Sequence, residues 1–519
     1  MGLIQRGCRF LTGLHRYGIA NVAEGQKIKF HYLKYSYNPV KKSSYQERRL
    51  HSVEKKNRIS FLVLALGEEN KNTRSSIEQQ RLKPNRVIWE KDLFNVKNIL
   101  ADATEDYVLI LPAGDEIHET YLSCVALWLS DPKVGMPRLI YTDSSDANGN
   151  YYFKSHYAPD SLDSQNYIGE IFLLRTKDAV GQLEFTSDDL HYELHQFLLR
   201  FTRDIKEDLK KEKEVLHITS PLDLYRKFPL EIREYQYELK ENPKVSILIP
   251  NKDNVDILKQ CLDSILNVST YQNFEIIIIE NNSEEKETFD FYDSLEDERI
   301  QVVTCVTDWN YSYINNYGLS YTTGEYILFL NNDTKVITPD WIEQMLYFAM
   351  RKDVGAVGVK LLYPDNTIQH GGVTLGIRGV AGHAFLGAGE EDCGYMNRLI
   401  TVQNLSAVTA ACMMVRRDVI EQVNGFDENF KVAFNDVDLC LRIREAGYRI
   451  VYNPHAKLYH YESKSRGTDE NNPEKRKRFD GECIMFGKRW YQKLMAIDPY
   501  YNRNLSMFDD DFSYADIYR

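Results

Sequence analysis

The alternation of apolar and polar positions predicts buried strands that each end in a polar cluster. Residues 244–250, 274–280 and 324–330 are largely apolar runs, and turn-forming or acidic residues follow each of them. Such runs indicate strands that are buried on both faces of a sheet. Between the first two, residues 255–268 repeat apolar side chains at helical spacing. We therefore predict a strand–helix–strand unit with a parallel, right-handed connection.

Polar residues at the carboxyl ends of these strands are the first candidates for a binding site. In open parallel sheets, ligands bind at those ends. The side chains that the pattern brings to this edge carry carboxylate or amide groups: Asn251, Asp253, Glu280, Asn281 and Asp333. We therefore predict that a polar ligand binds at this edge of the sheet.

Asp333 is a candidate metal ligand, because it comes directly after a buried strand and follows Asn331 and Asn332. Carboxylate and carbonyl oxygens at a strand end suit Mg²⁺ or Mn²⁺ that is held partly by substrate phosphates. The alternative is a polar turn, since asparagine fits unusual backbone angles. His460 follows the last predicted strand, residues 449–452. It is a second candidate ligand if Asp333 binds a metal, and a structural histidine otherwise.

Asp436 and Asp438 open a predicted amphipathic helix that ends at Gly447. Two residues apart on a helix, their side chains point in different directions, so we expect only one of them to face a ligand. A carboxylate in a partly buried cleft can act as a general base. The alternative is that the pair caps the helix and complements its dipole.

Composition narrows the class of protein. The 519 residues imply two or three domains. A net charge of −12 argues against a nucleic-acid partner, which would select a basic surface. The eight cysteines include no C-x-x-C pair, which favours free thiols in a reducing cytoplasm. Without an apolar run of ~20 residues or a signal-peptide pattern, we expect a cytoplasmic protein with no membrane span.

Changes in pattern along the chain predict its domain organisation. Residues 106–111 align with 325–330, and residues 191–194 align with 436–439. The first domain therefore resembles a degenerate copy of the second. Its residues 112–115 (Pro-Ala-Gly-Asp) replace the Asn-Asn-Asp motif, and we expect it to be structural or binding rather than catalytic. The predicted segments are an N-terminal arm and linker (1–56), the first α/β domain (57–225), a charged linker (226–243), the second domain (244–465) and a C-terminal extension (466–519).

In combination, these motifs resemble the family 2 glycosyltransferases, which have the GT-A fold. The motifs that carry the resemblance occur in order across 244–465: residues 245–250, 279–283, 316–318, 324–333, 425–427, 435–442 and 457–460. The resemblance is strongest to bacterial enzymes that build O-antigen, capsule or rhamnose-containing wall polysaccharides, which often carry two such domains. It implies a GT-A domain with a mostly parallel central sheet, preceded by a degenerate GT-A-like α/β domain.

The resemblance also implies a role for each matching residue. Asp436 matches the catalytic base, and Asp333 and His460 match ligands of a divalent cation, Mn²⁺ or Mg²⁺. The residues implied to bind the nucleotide sugar are Pro250, Asn251, Asp253, Glu280, Asn281, Asn316, Asn331 and Asn332.

Three positions depart from the family pattern. Glu280 stands where aspartate is usual, which leaves the nucleotide of the donor open. Asn331 replaces the first aspartate of the metal motif, so we expect weaker metal affinity. Asn435 replaces the glutamate that usually precedes the base.

The implied reaction is an inverting, metal-dependent transfer from a UDP- or dTDP-sugar to a glycan or lipid-linked glycan. A lipid-linked acceptor would imply peripheral association with the inner face of the plasma membrane. The glycine-rich residues 371–389 could close over the donor and exclude water.

Two alternatives remain open at the level of sequence. One is a non-catalytic sugar-binding or assembly protein, which fits the first domain better than the second. The other is a sugar nucleotidyltransferase, which would need a glycine-rich basic loop after the first strand. Residues 250–253 offer Lys252 but no glycine.

Overall fold

The computed structural model describes residues 34–35, 37–461, 473–496 and 498–518. These residues form two compact units, each with its own sheet. The first unit lies within Gln26–Arg233, Pro499–Ser506 and Tyr514–Arg519, and the second within Glu234–Asp498 and Met507–Ser513. The predicted C-terminal extension therefore contributes residues to both units. Most of the predicted N-terminal arm, and residues 466–472, lie outside the described residues.

The first unit is an α/β domain built on a mixed sheet in the order β2-β1-β3-β7-β5-β8-β4, with β6 paired to β5. Its strands are β1 (Phe61–Leu66), β2 (Arg86–Glu90), β3 (Tyr107–Pro112), β4 (Glu116–Ile117), β5 (Leu139–Asp146), β6 (Tyr151–Tyr152), β7 (Phe172–Arg175) and β8 (Val215–Tyr225). Its helices are α1 (Ser44–Lys56), α2 (Lys71–Glu78), α3 (Val96–Ala101), α4 (Tyr121–Leu129), α5 (Pro159–Ser164), α6 (Thr176–Ala179), α7 (Leu190–Phe201) and α8 (Arg203–Glu207), with 3₁₀ turns at Leu93–Asn95 and Leu209–Glu214.

The second unit contains a mixed sheet in the order β11-β10-β9-β12-β19-β14-β20-β13, with β15 paired to β14 and β18 to β20, and a separate hairpin of β16 and β17. Its strands are β9 (Val245–Asn251), β10 (Phe274–Glu280), β11 (Ile300–Thr304), β12 (Tyr326–Leu330), β13 (Thr334–Val336), β14 (Val354–Leu362), β15 (Ile368–His370), β16 (Val373–Leu375), β17 (Ala381–His383), β18 (Gln403–Leu405), β19 (Cys412–Arg416) and β20 (Arg449–His460). Its helices are α9 (Val255–Val268), α10 (Lys286–Asp293), α11 (Tyr311–Leu319), α12 (Trp341–Ala349), α13 (Arg417–Gln422), α14 (Asn435–Glu445), α15 (Pro473–Arg489) and α16 (Tyr491–Ala496), with a 3₁₀ turn at Tyr395–Asn397.

Strands β9, β10 and β12 of the second unit are buried on both faces, as their continuous apolar runs predict. Val245, Ile247 and Ile249 of β9 belong to one hydrophobic cluster, and Leu248 belongs to the cluster on the opposite face. The same alternation holds along β10, because successive side chains of a strand point to opposite faces. Helices cover both faces of such a sheet, so chemistry is confined to its strand ends.

The last strand is longer than the apolar pattern indicates. Residues 449–452 begin β20, but the strand continues to His460 because Thr334–Val336 pair with its second half in the antiparallel sense. His460 thus lies at the end of the strand rather than beyond it, directly opposite Thr334.

The two sheets share one topology. The seven strands of the first sheet correspond one to one, in spatial order, to seven strands of the second: β2-β1-β3-β7-β5-β8-β4 to β10-β9-β12-β19-β14-β20-β13. Each pair of neighbouring strands in the first sheet has the same parallel or antiparallel sense as the corresponding pair in the second. Strand β11 extends the second sheet at one edge and has no counterpart among the described strands of the first. The first unit therefore repeats the architecture of the second.

Within the described residues, no helix combines the length and the apolar character that crossing a bilayer requires.

Candidate active site

A cavity of about 400 Å³ opens at the carboxyl ends of β9 and β12, beside the first turn of α14. The residues singled out from the sequence that line it are Pro250, Asn331, Asn332, Asp333, Asp436 and His460. The fold thus brings together the predicted metal ligands and the predicted base, which are far apart in the chain.

Asp333 and His460 meet because β13 pairs with the end of β20. The imidazole Nε2 of His460 lies 3.2 Å from Asp333 Oδ1 and 3.2 Å from the side-chain nitrogen of Asn331. Both side chains are almost fully buried, with 7% of His460 and 8% of Asp333 exposed. The other ring nitrogen of His460, Nδ1, is buried without a hydrogen-bond partner.

This pair fits a divalent cation that is shared with a substrate. A carboxylate oxygen and an imidazole nitrogen are both suitable ligands for Mn²⁺. Among the described residues, no cluster of three or more His, Cys, Asp or Glu side chains could enclose a metal by itself. Cations of the Mg²⁺ type are commonly held by one or two protein groups plus phosphates and water, so a two-residue site fits that mode.

Asn332 is held in place by a short chain of hydrogen bonds. Its side-chain nitrogen donates to Asn251 Oδ1 at 2.6 Å, and the side-chain nitrogen of Asn251 donates to the Tyr292 hydroxyl at 2.8 Å. Burial raises the pKa of Tyr292 to about 12, so its hydroxyl stays protonated. Asn251 therefore links the first strand of the sheet to the Asn-Asn-Asp motif instead of lining the cavity.

Glu280 is the last residue of β10, Asn281 follows it and Asp253 follows β9. None of the three lines the cavity described above. Asn281 donates to the backbone carbonyls of Cys305 and Thr307 at 2.8 and 2.9 Å, which uses both of its amide hydrogens. Asp253 accepts from two backbone amides of the 284–285 turn. Glu280 Oε1 accepts from Ser283, whereas its buried Oε2 has no hydrogen-bond partner. Glu280 therefore has an unused acceptor oxygen.

Asn316 lies away from the cavity, and its side chain holds a turn. Its amide donates to the carbonyl of Phe426 and accepts from the N–H of Phe426, each at 2.9 Å. A Cβ at Gly425 would lie 2.4 Å from Asn316 Oδ1, so glycine is needed there. The motifs at 316–318 and 425–427 thus form one structural joint. The nucleotide-sugar contact inferred for Asn316 finds no support in this geometry.

Asp436 projects into the cavity from the first turn of α14. Its Oδ2 accepts from the N–H of Ala410 at 3.2 Å, and its Oδ1 accepts from Val437 N–H at 2.8 Å. Asp438 points into the core instead, where it is fully buried and bonded to Arg442, Arg489 and Trp490. Only one of the two carboxylates therefore faces the cavity.

Aromatic and histidine side chains complete the lining, and sequence reasoning missed most of them. The aromatic ones are Trp309, Tyr311, Phe434 and Phe479, of which Trp309 and Phe479 are 39% and 38% exposed. His383, from the glycine-rich stretch, also lines the cavity, and its Nδ1 lies 3.1 Å from His370 Nδ1. Burial and the neighbouring histidines lower the pKa of His370, so this imidazole is neutral. Phe479 lies 146 residues beyond Asp333 in the chain, and no local pattern links the two.

Fold and site together define an α/β domain that presents a carboxylate–histidine pair and a separate carboxylate to one cavity at its strand ends. Residues 246–423 match the family model "Glycosyl transferase family 2". The chain therefore carries a family 2 glycosyltransferase domain of the GT-A type, which confirms the family and fold class predicted from the sequence.

Relatives extend the similarity beyond this domain. The O-antigen biosynthesis protein RfbC of Myxococcus xanthus is 33% identical over 459 residues, which cover 78% of this chain and 34% of that protein. Protein y4gI of Sinorhizobium fredii, which is uncharacterised, is 44% identical over 279 residues, or 53% of this chain and 30% of that one. The chain thus spans about a third of the length of these two relatives.

The chain also resembles part of a solved structure, with a low TM-score. The mannosyltransferase PcManGT from Pyrobaculum calidifontis, solved with GDP-Man and Mn²⁺, is 15% identical with a TM-score of 0.34, over 50% of this chain and 74% of that one.

Proposed function

We propose that the second unit transfers a sugar, with inversion, from a nucleotide-diphosphate donor to a glycan or lipid-linked glycan in bacterial surface polysaccharide synthesis. One observation carries the proposal: Asp333, His460 and Asp436 line a single cavity at the strand ends of a family 2 domain. The extended similarity to a protein named for O-antigen biosynthesis supports the polysaccharide pathway.

In this reaction Asp436 takes the proton from the acceptor hydroxyl. As that oxygen forms a bond to the anomeric carbon, the bond from this carbon to the donor phosphate breaks, and its electron pair leaves with the nucleoside diphosphate. A single displacement from the opposite face inverts the anomeric centre. The two backbone N–H groups that bond Asp436 hold its carboxylate toward the cavity without blocking both lone pairs of either oxygen.

The leaving diphosphate belongs on the side of Asp333 and His460. These two residues would hold a divalent cation, Mn²⁺ or Mg²⁺, which when bound neutralises the charge that develops on the leaving group. Asn332, fixed by Asn251, lines the same cavity, and its second amide hydrogen would bond to the diphosphate. The buried Glu280 Oε2 has no hydrogen-bond partner, and in this proposal a ribose hydroxyl or a base N–H of a UDP- or dTDP-sugar would supply the missing donor.

The acceptor belongs on the side of Asp436, near Phe479, whose ring packs against Phe434. Trp309 and Phe479 both line the cavity and keep more than a third of their surface open. Aromatic faces pack well against the apolar faces of sugar rings, so these side chains would orient a glycan with one hydroxyl toward Asp436.

A thermal-shift panel tests the donor half of this proposal. The protein is heated with UDP-, dTDP- or GDP-sugars, each in Mn²⁺, Mg²⁺ or EDTA. A ligand that binds the native state raises the melting temperature by mass action. We expect one nucleotide class to stabilise the protein in a metal-dependent way, and Asp333→Ala to abolish the effect.

The control for this panel is Asp263→Ala, which removes an exposed carboxylate from α9 in the same domain. It should keep the full shift. If no donor stabilises the folded protein under any metal condition, a sugar-binding or assembly role that does not use a nucleotide sugar would replace the transferase proposal.

For the first unit we propose a non-catalytic role. In the alignment of residues 106–111 with 325–330 and of 191–194 with 436–439, Gly114 corresponds to Asp333, and His191 corresponds to Asp436. A hydrogen bond to the buried Glu170 raises the pKa of His191 to about 9, so the imidazole is protonated at neutral pH and cannot accept a proton. Donor binding that survives in Asp333→Ala would contradict this division, because it would require a second site.

A further inference from the structure

Helix α15 forms hydrogen bonds with the loop that leads into α14, residues 431–434. Glu482, on α15, is 4% exposed and accepts three backbone N–H groups of that loop. Its Oε1 accepts from Lys431 and Val432 at 2.8 and 3.1 Å, and its Oε2 accepts from Ala433 at 3.0 Å. Arg478, one turn earlier on α15, lies 3.7 Å from the same carboxylate.

The conformation of this loop determines the direction of the Asp436 side chain. It ends at Phe434, whose φ of +62° is left-handed, a conformation that an aromatic residue adopts only when its surroundings enforce it. Phe434 packs against Phe479 and Phe486, both on α15, with ring centroids 5.6 and 5.3 Å away. One helix thus holds the loop by its backbone and by its side chain, two residues before Asp436.

The far end of α15 holds the next part of α14. Arg489 Nη1 and the indole nitrogen of Trp490 donate to Asp438 Oδ1 at 2.8 and 2.9 Å. Asp438 lies one residue beyond Val437, so the stretch from Lys431 to Asp438 is fixed on both sides of Asp436. The bonds from Glu482 to the loop and those from Arg489 and Trp490 to Asp438 do not involve the carboxylate oxygens of Asp436. Those oxygens accept from Ala410 and Val437.

We propose that Glu482 is a positioning residue that acts through this loop to aim Asp436 at the acceptor hydroxyl. The inference rests on the proposed function, in which Asp436 is the base. A buried carboxylate can accept three N–H groups at once, whereas an amide of the same size turns one acceptor oxygen into a donor. Glu482→Gln therefore leaves at least one loop N–H facing another donor, and the loop moves.

The first test is steady-state kinetics of Glu482→Gln. We expect kcat to fall by about 10- to 100-fold, since displacement of a reacting group by about 1 Å costs that much. The donor-induced thermal shift should be unchanged, because Asp333 and His460 are untouched. Glu482→Asp keeps the charge and should recover part of the lost kcat.

Two matched variants separate positioning from general destabilisation. Asp480→Asn makes the same charge change on the exposed face of α15 and should leave kcat unchanged. Glu275→Gln removes another carboxylate that accepts a backbone N–H, from Thr323, at the amino ends of the strands. It should lower the melting temperature without lowering kcat at temperatures where the variant is folded.

Amide hydrogen exchange provides a readout that needs no activity. In the wild type, the N–H groups of residues 431–433 should exchange slowly, and in Glu482→Gln they should exchange faster while the rest of α14 is unaffected. If wild-type protein transfers no sugar, the proposed function fails, and exchange at 431–433 still decides whether Glu482 holds the loop. Wild-type kcat in Glu482→Gln would overturn the inference. So would fast exchange at these amides in the wild type, and that measurement stands even if Glu482→Gln fails to fold.

Discussion

Replacement of Asp436 by asparagine separates its chemical role from its structural one. The two side chains have nearly the same shape, so the cavity keeps its volume. In the wild type each carboxylate oxygen accepts one backbone N–H, from Ala410 and from Val437. Asparagine keeps one acceptor and turns the other into a donor, which removes one of these bonds and the ability to take up a proton at neutral pH.

The two consequences differ in size. Loss of one hydrogen bond to a partly exposed side chain should cost about 1 kcal/mol of stability. Loss of general-base assistance should lower kcat by about 10²–10⁴-fold. At about 1.4 kcal/mol per factor of ten, this raises the barrier by about 3–5 kcal/mol. Activity should therefore fall far more than stability.

The assay measures the initial rate of nucleoside-diphosphate release with and without acceptor, using the donor that gives the largest thermal shift. Asp436→Asn should lose the acceptor-dependent rate and keep the wild-type shift with donor and Mn²⁺. Asp263→Asn, which makes the same change on the exposed face of α9, should behave as wild type. Acceptor-dependent turnover at the wild-type rate in Asp436→Asn would refute the assignment of this residue as the base.

Three further predictions address the metal, the acceptor and pH. His460→Ala should raise the Mn²⁺ concentration for half-maximal activity by at least about tenfold, as loss of even an outer metal partner does; an unchanged midpoint would exclude His460 as a ligand. Phe479→Ala should raise the KM for the acceptor by about two- to tenfold, because it removes an aromatic contact of about 0.5–1.5 kcal/mol. Phe508→Ala should leave this KM unchanged, because Phe508 is an exposed aromatic residue outside the cavity lining. Glu275 is partly desolvated, but bonds from Lys244, Ser246 and Thr323 prevail and lower its pKa to about 2. A lowered carboxyl pKa stabilises the fold above the unfolded pKa, so Glu275→Gln should destabilise the protein at pH 7, and urea titrations should show this difference shrinking as the pH falls from about 4.5 toward 2.

Local pattern was sufficient to predict the parts of the site that lie at strand ends. Asp333 and Asn332 follow a strand whose apolar residues alone predict that it is buried. Because ligands of open parallel sheets bind at the carboxyl ends of the strands, this position predicts a binding role without knowledge of distant contacts. Asp436 was predicted for a similar reason, because a helix start is readable from the sequence. His460 was assigned beyond its strand, since the pairing that extends β20 involves Thr334–Val336, far away in the chain.

The rest of the site depends on contacts that have no local signal. Phe479 and Glu482 lie on a helix that, in sequence, is a charged surface segment, and only its packing against the loop before α14 gives them a role. Asn316 shows the converse. Its motif matches the family, yet both ends of its side-chain amide bond to the backbone of Phe426. At this position the match therefore reflects a contact that stabilises the fold. A motif residue can therefore serve geometry or chemistry, and only its partners distinguish the two.

The shared strand order explains how one chain can hold two domains whose strand-end residues differ. Strand order and sense depend on apolar alternation, which both sheets have, and not on the residues that follow each strand. Gly114 and Asp333 follow equivalent strands, and neither belongs to the apolar core of its sheet, although the φ of +110° at Gly114 disfavours a side chain there. Residues beyond a strand end can therefore differ while the strand order stays the same, so the first unit can lack the carboxylate of Asp333 and keep the same architecture. It follows that restoring Asp at position 114 alone would not create activity, since the position of the base would still hold the protonated His191.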